Sequence, residues 1–272
     1  MPREIVLVTD ARPFADDVKQ ELAQVTPALE RAGLRVRTGA WDDPAFDWGS
    51  VELAVLRTPW NYHRHVREFL AWTRRVPRLL NPPDVVAWNA VKTYLRDLEQ
   101  RGFPIVPTRW VERDDDPLDA WDEMVLKPTV SAGSFRTKRF RRGEAPRALL
   151  REILSEGPAM LQPYLPSVET SGERSLVFFA GELSHVVKRH PPLETGLHGG
   201  VPVPVEPDEL DLAQRLLATQ PPLLYARVDL ARDASGAVVL MELELIEPSL
   251  FLETAPGAAD RFASAALRFL RS

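Results

Sequence analysis

The sequence predicts a mixed fold that is α/β in its first third and α+β in the remainder. Over residues 1–85, short apolar runs alternate with amphipathic segments, a pattern typical of a small parallel sheet. After residue 102, strand-like runs follow one another with few helices between them, which favours antiparallel or mixed sheets. The chain has 272 residues, 44% of them hydrophobic, and is therefore long enough to bury a substantial core and to form two lobes.

The first segments of the chain justify the parallel sheet. EIVLV, LRV and LAVL are predicted strands, and RLLNP is a fourth that Pro82 and Pro83 end. After the first strand we expect Pro27 to begin a helix with Thr26 as its N-cap, because a proline fits there better than inside one long helix. The segment YHRHVREFLAWTRRV has its apolar residues near one side and predicts another helix.

The rest of the chain supplies the α+β part. A helix is predicted from Trp88 to Arg101, with Gly102 ending it in the C′ position. Strands follow at PIVPTRW, EMVLKPTV, FRTKRF, AMLQPYL, ERSLVFFAG and ELSHVVKR. FFAGELSHV predicts a hairpin with Gly181 in its turn, and RDASG predicts the turn of a second hairpin. Helices over about 208–218 and 258–270 complete the prediction.

Composition excludes several classes of function. The formal charge is −5 and the isoelectric point about 5.7, so there is no global positive field to attract nucleic acid or an anionic membrane. The absence of cysteine excludes disulfides, thiolate zinc sites, iron–sulfur clusters and a cysteine nucleophile. No apolar run reaches the length of a signal peptide core or a membrane span. We therefore expect a cytoplasmic protein; a homodimer is compatible with the sequence.

Four carboxylates interrupt the two apolar strands of the second hairpin: Asp229, Glu242, Glu244 and Glu247. Glu242 and Glu244 are two residues apart and share a face of their strand, and pairing through the RDASG turn brings Asp229 within a few positions of them. Packed carboxylates raise one another's pKa and require a cation. An oxygen-only cluster suits Mg²⁺ or Mn²⁺. The alternative is an ordinary solvent face of an edge hairpin.

Two lysines and a loop of small residues are candidates for nucleotide binding. Lys92 lies on a predicted helix. Lys127 ends an apolar strand, where an ordinary solvent-exposed lysine is not expected. Ser131, Gly133 and Ser134 follow in a turn whose backbone N–H groups suit phosphate oxygens. Neither of the common phosphate-binding glycine motifs is present.

Two neighbouring segments extend the candidate nucleotide site. The basic run 136–142 is interpreted either as a solvated hairpin or as an electrostatic lid over the phosphates. MLQPYL is a short apolar strand whose backbone groups could pair with the edge of an adenine. These observations together indicate a nucleotide bound with a divalent cation.

The order of these segments resembles the ATP-grasp superfamily, in the branch of glutathione synthetase and the RimK-like ligases. LRTPWNYHRHVREFLAW, LLNPPDVVAWNAVKTYLRDL, GERSLVFFAGELSHVVKR and YARVDL are further similar to the cyclo-ligases that make D-cycloserine from O-ureido-D-serine. The resemblance covers nearly the whole chain from about residue 50. It is specific for the superfamily and much less specific for the substrate.

The resemblance implies a fold and a division of the chain. It implies an N-terminal α/β domain on the substrate side at 1–87, a small ATP-grasp lobe with a lid loop at 88–165, and a core lobe with the metal site at 166–272. The two α+β lobes are expected to enclose ATP. A small parallel-sheet domain before them is expected to face the substrate.

The resemblance also implies roles for individual residues. Lys92 and Lys127 match the two nucleotide lysines, and the loop Ser131–Ser134 matches the one that closes over the triphosphate. Residues expected to contact the nucleotide beyond these are Gln162, Pro163, Tyr164 and Leu165 at the adenine and Glu173 at the ribose, with Arg189 facing phosphate. Asp229 and Glu242 match Mg²⁺ ligands, and Glu244 stands where many ATP-grasp enzymes have asparagine.

The implied activity is a ligase reaction on a small-molecule carboxylate. Such enzymes phosphorylate a carboxylate with ATP, and an amine or another nucleophile then attacks the acylphosphate. For this chain we expect C–N bond formation on an amino-acid-like substrate, with ring closure as one form of it. A catalytically inactive ATP-binding protein and an ATP-grasp phosphotransferase are the alternatives.

Three further side chains are candidates for catalysis or for binding the substrate carboxylate. Arg57 and Arg227 could bind the substrate carboxylate, with a structural ion pair as the alternative for Arg57. His185 alternates with apolar residues and is either catalytic or a satisfied core residue. Two positions depart from the cyclo-ligase pattern: an arginine is missing before Gly199 and Gly200, and Asn61 replaces an aspartate, which leaves a substrate amino group without its expected counter-ion.

Overall fold

The computed structural model describes residues 3–11, 16–189 and 200–271, with the backbone alone for 16–19. The first sheet is wholly parallel, with strand order β2-β1-β3-β4. Its strands are β1 (Glu4–Thr9), β2 (Arg35–Ala40), β3 (Ala54–Thr58) and β4 (Leu79–Leu80), and its helices are α1 (Asp16–Arg31) and α2 (Val66–Thr73). The predicted parallel sheet is confirmed.

Pro27 lies inside α1, so the prediction that it begins a new helix is wrong. An interior proline costs a helix about 3 kcal/mol because it removes a backbone hydrogen bond. The apolar stripe of α1 continues across that position, with Val25 and Leu29 fully buried in one core cluster. Burial of this stripe on both sides of the proline offsets the local cost.

The predicted helix from Trp88 to Arg101 is divided in two. α3 (Pro83–Asn89) and α4 (Tyr94–Gln100) are separated by residues 90–93. At this break the N–H of Lys92 donates to the carbonyl of Thr129 at 2.7 Å, outside any helical pattern. This long-range hydrogen bond is not visible in the local sequence. The end of the helix is confirmed: Gly102 has φ +84° and follows α4 in the C′ position.

The second sheet forms a small antiparallel layer. Its order is β5-β8-β6-β7. The strands are β5 (Arg109–Val111), β6 (Glu123–Pro128), β7 (Lys138–Arg141) and β8 (Ala159–Pro163). The helix α5 (Arg147–Leu154) covers one face, and its Leu150 and Ile153 are buried against Met124 and Leu126. A short helix, α6 (Ser167–Thr170), leads to the third sheet.

The third sheet is antiparallel with order β11-β10-β9-β12-β13. Its strands are β9 (Glu173–Phe179), β10 (Glu182–Arg189), β11 (Val201–Pro202), β12 (Tyr225–Arg232) and β13 (Val238–Glu244), and α7 (Pro207–Leu217) and α8 (Ala258–Arg271) pack on it. Ala180 and Gly181, both with positive φ, connect β9 to β10. Both predicted hairpins are confirmed.

The three sheets share their cores. One face of the third sheet is apolar, with Leu176, Val228 and Leu243 buried in a cluster that also includes Leu95 and Leu98 of α4. α4 therefore packs on the third sheet, although the sequence-based division assigns it to the small lobe. α8 lies in another cluster with the first sheet. Among the described helices, none is long and apolar enough to cross a membrane.

Candidate active site

A cavity of about 780 Å³ lies where the three sheets meet. Most of the residues that the sequence singles out for nucleotide or metal binding line it: Lys92, Lys127, Ser131, Gly133, Ser134, Gln162, Pro163, Tyr164, Leu165, Glu173, Arg189, Arg227, Glu242 and Glu244. Arg57, His185 and Asp229 are not part of its lining. The segment before Gly200 that lacks the expected arginine falls outside the described residues.

The polar face of the third sheet supplies one wall. Asp229 pairs with Glu242 and Arg227 with Glu244 across β12 and β13, and Ser175 pairs with Asp229 across β9 and β12. Because directly paired residues point to the same face of a sheet, these charged groups form a continuous band. The predicted proximity of Asp229 to both glutamates is thus confirmed by the strand register.

Asp229 lies at the centre of this band and is 1% exposed. Its carboxylate accepts hydrogen bonds from Arg227 Nε at 2.9 Å, Arg189 at 3.0 Å and Ser175 Oγ at 2.6 Å. Burial raises its pKa, but the charges of Arg227 and Arg189 outweigh burial and lower the pKa to about 2. Asp229 is therefore charged and held by two guanidinium groups.

The two glutamates of β13 differ in their environment. Glu242 forms an ion pair with Lys92, with 2.9 Å between Oε1 and Nζ. Burial raises the pKa of Glu242, while the charges of Lys92 and Lys127 lower it, with a net decrease. Glu244 pairs with Arg227, yet burial raises its pKa to about 8. Each of the three predicted metal ligands thus has a cationic side chain as its partner.

The donor atoms of these carboxylates and their arrangement decide how well they fit a metal ion. Oxygen ligands on one sheet face have the chemistry that Mg²⁺ prefers. Within residues 3–11, 16–189 and 200–271, however, no three acidic or histidine side chains are arranged to hold a metal ion. The donor set therefore fits Mg²⁺, whereas the side chains are oriented toward arginine and lysine. The metal assignment stays a prediction.

The two lysines line the same cavity, and Lys92 contacts the band through Glu242. Lys92, in the break between α3 and α4, donates from Nζ to Ser131 O at 2.7 Å and Ser131 Oγ at 3.1 Å. Burial lowers the pKa of Lys127 at the end of β6, partly offset by the charge of Glu242. Lys92 therefore connects the small-residue loop to the acidic strand.

Part of the loop after β6 has left-handed backbone angles, which residues other than glycine rarely adopt. Gly133, Ser134 and Arg136 all have φ between +52° and +59°. Phe135 packs against His63 of the first domain, with 5.2 Å between ring centroids. In the basic run 136–142, Arg136, Arg139 and Arg142 each form an ion pair with a nearby carboxylate. These pairs favour the solvated-hairpin interpretation of the run over an electrostatic lid.

The lining of the cavity includes apolar residues beside the segment proposed for adenine. They are Val106, Val125, Leu165, Met241 and Leu243. The side chain of Gln162 donates from Nε2 to Thr108 Oγ1 at 2.9 Å. That donor group is therefore already used within the protein. Glu173, expected at the ribose, pairs with Arg189, and burial raises its pKa.

Arg57 and His185 are anchored outside the cavity. Arg57 is fully buried and donates to Glu21 Oε1 from Nε at 3.1 Å and from Nη2 at 2.5 Å. His185 contacts the carbonyl of Leu250 through Nε2 at 2.8 Å, and burial lowers its pKa. Their positions support the structural alternative for both residues: an ion pair for Arg57 and a satisfied core histidine for His185.

Several lining residues were missed by the sequence interpretation. Phe251 has φ +48°, and its ring lies 5.7 Å from the guanidinium of Arg189 and 5.5 Å from that of Arg227. Asp10 and Glu21 of the first domain and Glu253, between β13 and α8, also line the cavity. No motif marks these positions. The only sequence signal was the EPSLF segment directly after the acidic strand, which places Phe251 close to the band.

Comparison with known proteins agrees with this architecture. Residues 5–81 match the family model described as the N-terminal domain of D-cycloserine synthetase DcsG. The chain is 33% identical to the cycloserine biosynthesis protein DcsG of Streptomyces lavendulae, over 96% of this chain and 97% of that protein. It also resembles the crystal structure of D-cycloserine synthetase DcsG, with TM-score 0.87 and 30% identity over 98% of this chain and 99% of the other.

More distant structures share the fold. D-alanyl-alanine synthetase A from Vibrio cholerae aligns with TM-score 0.74 and 12% identity, over 99% of this chain and 98% of that one. A RimK-domain ATP-grasp protein from Sphaerobacter thermophilus aligns with TM-score 0.69 and 14% identity, over 96% and 98% of the two chains. At such identities the likeness concerns the fold alone.

Proposed function

The chain belongs to the family of ATP-dependent, C–N bond-forming ATP-grasp ligases that includes D-cycloserine synthetase, and we propose that it activates a small amino-acid-like carboxylate as an acylphosphate. The observation that carries this proposal is the band of charged residues on the third sheet, which meets Lys92 and Lys127 at one cavity. In phosphoryl transfer, a protein contributes chiefly positioning and charge neutralisation. This wall is built from groups that do both.

ATP is proposed to lie between the second and third sheets. Its adenine would occupy the apolar region next to Leu165, and its phosphates would lie near Lys92, Lys127 and the Ser131–Ser134 loop. Phosphate oxygens would then compete with Glu242 for the ammonium group of Lys92. This exchange would release the carboxylate that the structure shows paired with that lysine.

Mg²⁺ would be held by Asp229, Glu242 and Glu244, and when bound it neutralises phosphate charge. The chain's own residues would perform the rest of the work at the phosphates. Arg189 and Arg227 line the cavity, and both pair with Asp229. Guanidinium groups in that position are suited to stabilise charge on the phosphoryl group in flight.

The proposed chemistry proceeds in two displacements. A carboxylate oxygen of the substrate attacks the γ-phosphorus, and ADP leaves, giving an acylphosphate. An amine-type nitrogen then attacks the acyl carbon; phosphate leaves, and the nitrogen loses its proton. When the nitrogen belongs to the same molecule, the product is a ring. The likeness to D-cycloserine synthetase supports this cyclising form of the reaction.

The test uses the purified chain with Mg-ATP and a pool of amino-acid-like carboxylates that includes O-ureido-D-serine. ADP release that depends on one carboxylate, with a product carrying a new C–N bond by mass spectrometry, is the expected result. Repeating the reaction with an ¹⁸O-labelled carboxylate should place one ¹⁸O atom in the released phosphate. Unlabelled phosphate would exclude the acylphosphate, and a stable phosphorylated product would identify a phosphotransferase instead.

A further inference from the structure

The cavity continues beyond the proposed nucleotide region to an end formed by the first domain. Its described lining there includes Thr9, Asp10, Glu21, Gln24 and Thr58 of the first domain, and Glu253, which lies between β13 and α8, lines the same cavity. Three of these residues carry carboxylates, and the described lining of this end includes no lysine or arginine. The four cationic lining residues Lys92, Lys127, Arg189 and Arg227 all belong to the second and third sheets or to the break before α4.

The carboxylate of Glu21 is held by an arginine. Its Oε1 accepts two hydrogen bonds from Arg57, and the Glu21 side chain is 11% exposed. Arg57 is itself fixed: Nη2 donates to Pro248 O at 2.8 Å, and the guanidinium lies 5.0 Å from the ring of Tyr225. Arg57 therefore holds one oxygen of the Glu21 carboxylate at the cavity.

The second oxygen of Glu21 has no hydrogen-bond partner among the described residues. A carboxylate can accept about four hydrogen bonds, and one that is largely withdrawn from water loses free energy when this capacity is unused. A ligand that approaches from the cavity can donate to Oε2. An ammonium group adds charge attraction to such a hydrogen bond and is favoured there over a neutral donor, whereas a second carboxylate is disfavoured.

Asn61 does not take this role. Its side chain accepts from Trp41 Nε1 at 2.7 Å and donates to Asp42 at 2.7 Å, and its backbone N–H donates to Asp10 at 3.1 Å. Asn61 therefore serves to hold the wall of the cavity. The counter-ion for a substrate amino group has to come from another residue.

We propose that Glu21 binds the primary ammonium group of the substrate, and that Arg57 positions Glu21 for this contact. The inference rests on the proposed function, since it assigns the amino end of the same amino-acid-like carboxylate. The substrate then lies with its ammonium group at the first domain and its carboxylate toward the cationic groups near the third sheet. Glu21 is thereby the residue that selects an amino acid over the corresponding simple carboxylic acid.

The experiment compares O-ureido-D-serine with its deamino analogue, 3-(ureidooxy)propanoate. Binding of each to the wild-type chain and to Glu21→Gln is measured by calorimetry in the presence of Mg-ADP, and ATP turnover is measured separately. The wild type should bind the amino compound at least about tenfold more tightly than the analogue. In Glu21→Gln this preference should fall to within about twofold, while affinity for Mg-ADP stays unchanged.

Glu30→Gln is the matched control, because it removes one negative charge from the exposed side of the same helix. It should keep the wild-type preference. Since Glu21→Gln leaves Arg57 without a charged partner and could fail to fold, Glu21→Asp is the second variant. Aspartate keeps the charge, but its shorter side chain places the carboxylate farther from the cavity. Glu21→Asp should therefore weaken binding of the amino compound and leave binding of the deamino analogue unchanged.

The results separate this inference from the proposed function. The role of Glu21 is overturned if the wild type binds the two compounds equally or binds neither. It is also overturned if the preference for the amino compound survives in Glu21→Gln. ADP release without an amino preference keeps the ligase and removes the subsite. An amino preference that depends on Glu21, without ADP release, keeps the subsite and contradicts the ligase.

Discussion

Asp229 and Glu242 face each other across β12 and β13, yet each is held by a different part of the chain. Asp229 is bound by arginines of its own sheet, whereas Glu242 is bound by Lys92 from the break between α3 and α4. A metal that joined these two carboxylates would have to displace cations from both. The nucleotide phosphates are the natural new partners for those cations.

Asp229→Asn should abolish Mg-dependent ATP turnover, with a decrease of at least about 100-fold in kcat. It should also lower the free energy of unfolding by about 3 kcal/mol, because Arg189 and Arg227 lose their buried charged partner. Coupled ADP release and thermal unfolding measure the two effects. Glu182→Gln, on the exposed part of β10, is the control and should be neutral. Wild-type turnover by Asp229→Asn would remove this residue from the metal site.

Glu242→Gln should raise the Mg²⁺ concentration needed for half-maximal turnover by about tenfold or more, because one anionic oxygen ligand is lost. Its ion pair with Lys92 is also lost, so that lysine is freed for phosphate. A Mg²⁺ titration at saturating ATP measures the change. An unaltered titration curve would show that Glu242 pairs with Lys92 and has no part in metal binding.

Lys127→Ala should weaken ATP binding by about tenfold or more, since a charged donor to phosphate is removed from a site largely shielded from water. Calorimetric titration with a non-hydrolysable ATP analogue gives the affinity directly. Lys138→Ala is the matched control, because Lys138 is exposed on the adjacent strand β7. If both variants bind the analogue as the wild type does, Lys127 lies outside the nucleotide site.

Glu247 should make the ligand-free protein less stable as the pH rises. Burial raises its pKa to about 7, although the charge of Lys92 opposes the shift, while an unfolded glutamate titrates near 4.3. The native state therefore binds the extra proton between these two values, and stability falls as the pH passes from about 4.3 to about 7. Glu247→Gln should raise the free energy of unfolding by about 2 kcal/mol at pH 8. At pH 4 the variant and the wild type should be equal. Denaturant unfolding at both values checks this, and an equal gain at both would assign the effect to packing.

Phe251→Leu should lower kcat/KM about tenfold, because two guanidinium groups lose the aromatic face beside them. Phe251→Tyr keeps that face and should restore most of the activity. Steady-state kinetics should place the loss mainly in kcat if the arginines act on the phosphoryl group in flight. A loss that tyrosine does not restore would point to the left-handed backbone at this residue instead.

Periodicity and turn chemistry were sufficient to predict the parallel first sheet, both hairpins and the shared face of the acidic band. They failed where long-range contacts decide the local structure. Pro27 stays inside α1 because the buried stripe around it outweighs the cost, and the chain breaks around Lys92 because that residue bonds to Thr129 and Ser131.

The residues of the candidate site divide in the same way: some are visible in the sequence pattern, and others are recognised only from long-range contacts. Lys127 and Glu242 could be identified because each stands within an apolar strand, where a charge requires an explanation. Glu21 could not, because α1 is amphipathic and a glutamate on it is unremarkable in sequence. Its significance comes from Arg57, which is 36 residues away in the chain and fully buried.

α8 has a consequence for how the chain folds during synthesis. Phe262 and Ala266 of this helix share a core with Ile5 and Leu7 of β1 and with Tyr225 of β12. β1 is among the first described elements to leave the ribosome, and α8 is the last. Part of the apolar surface of the first sheet therefore stays exposed until α8 has been synthesised. A chaperone that shields apolar surfaces would bind the chain during this interval.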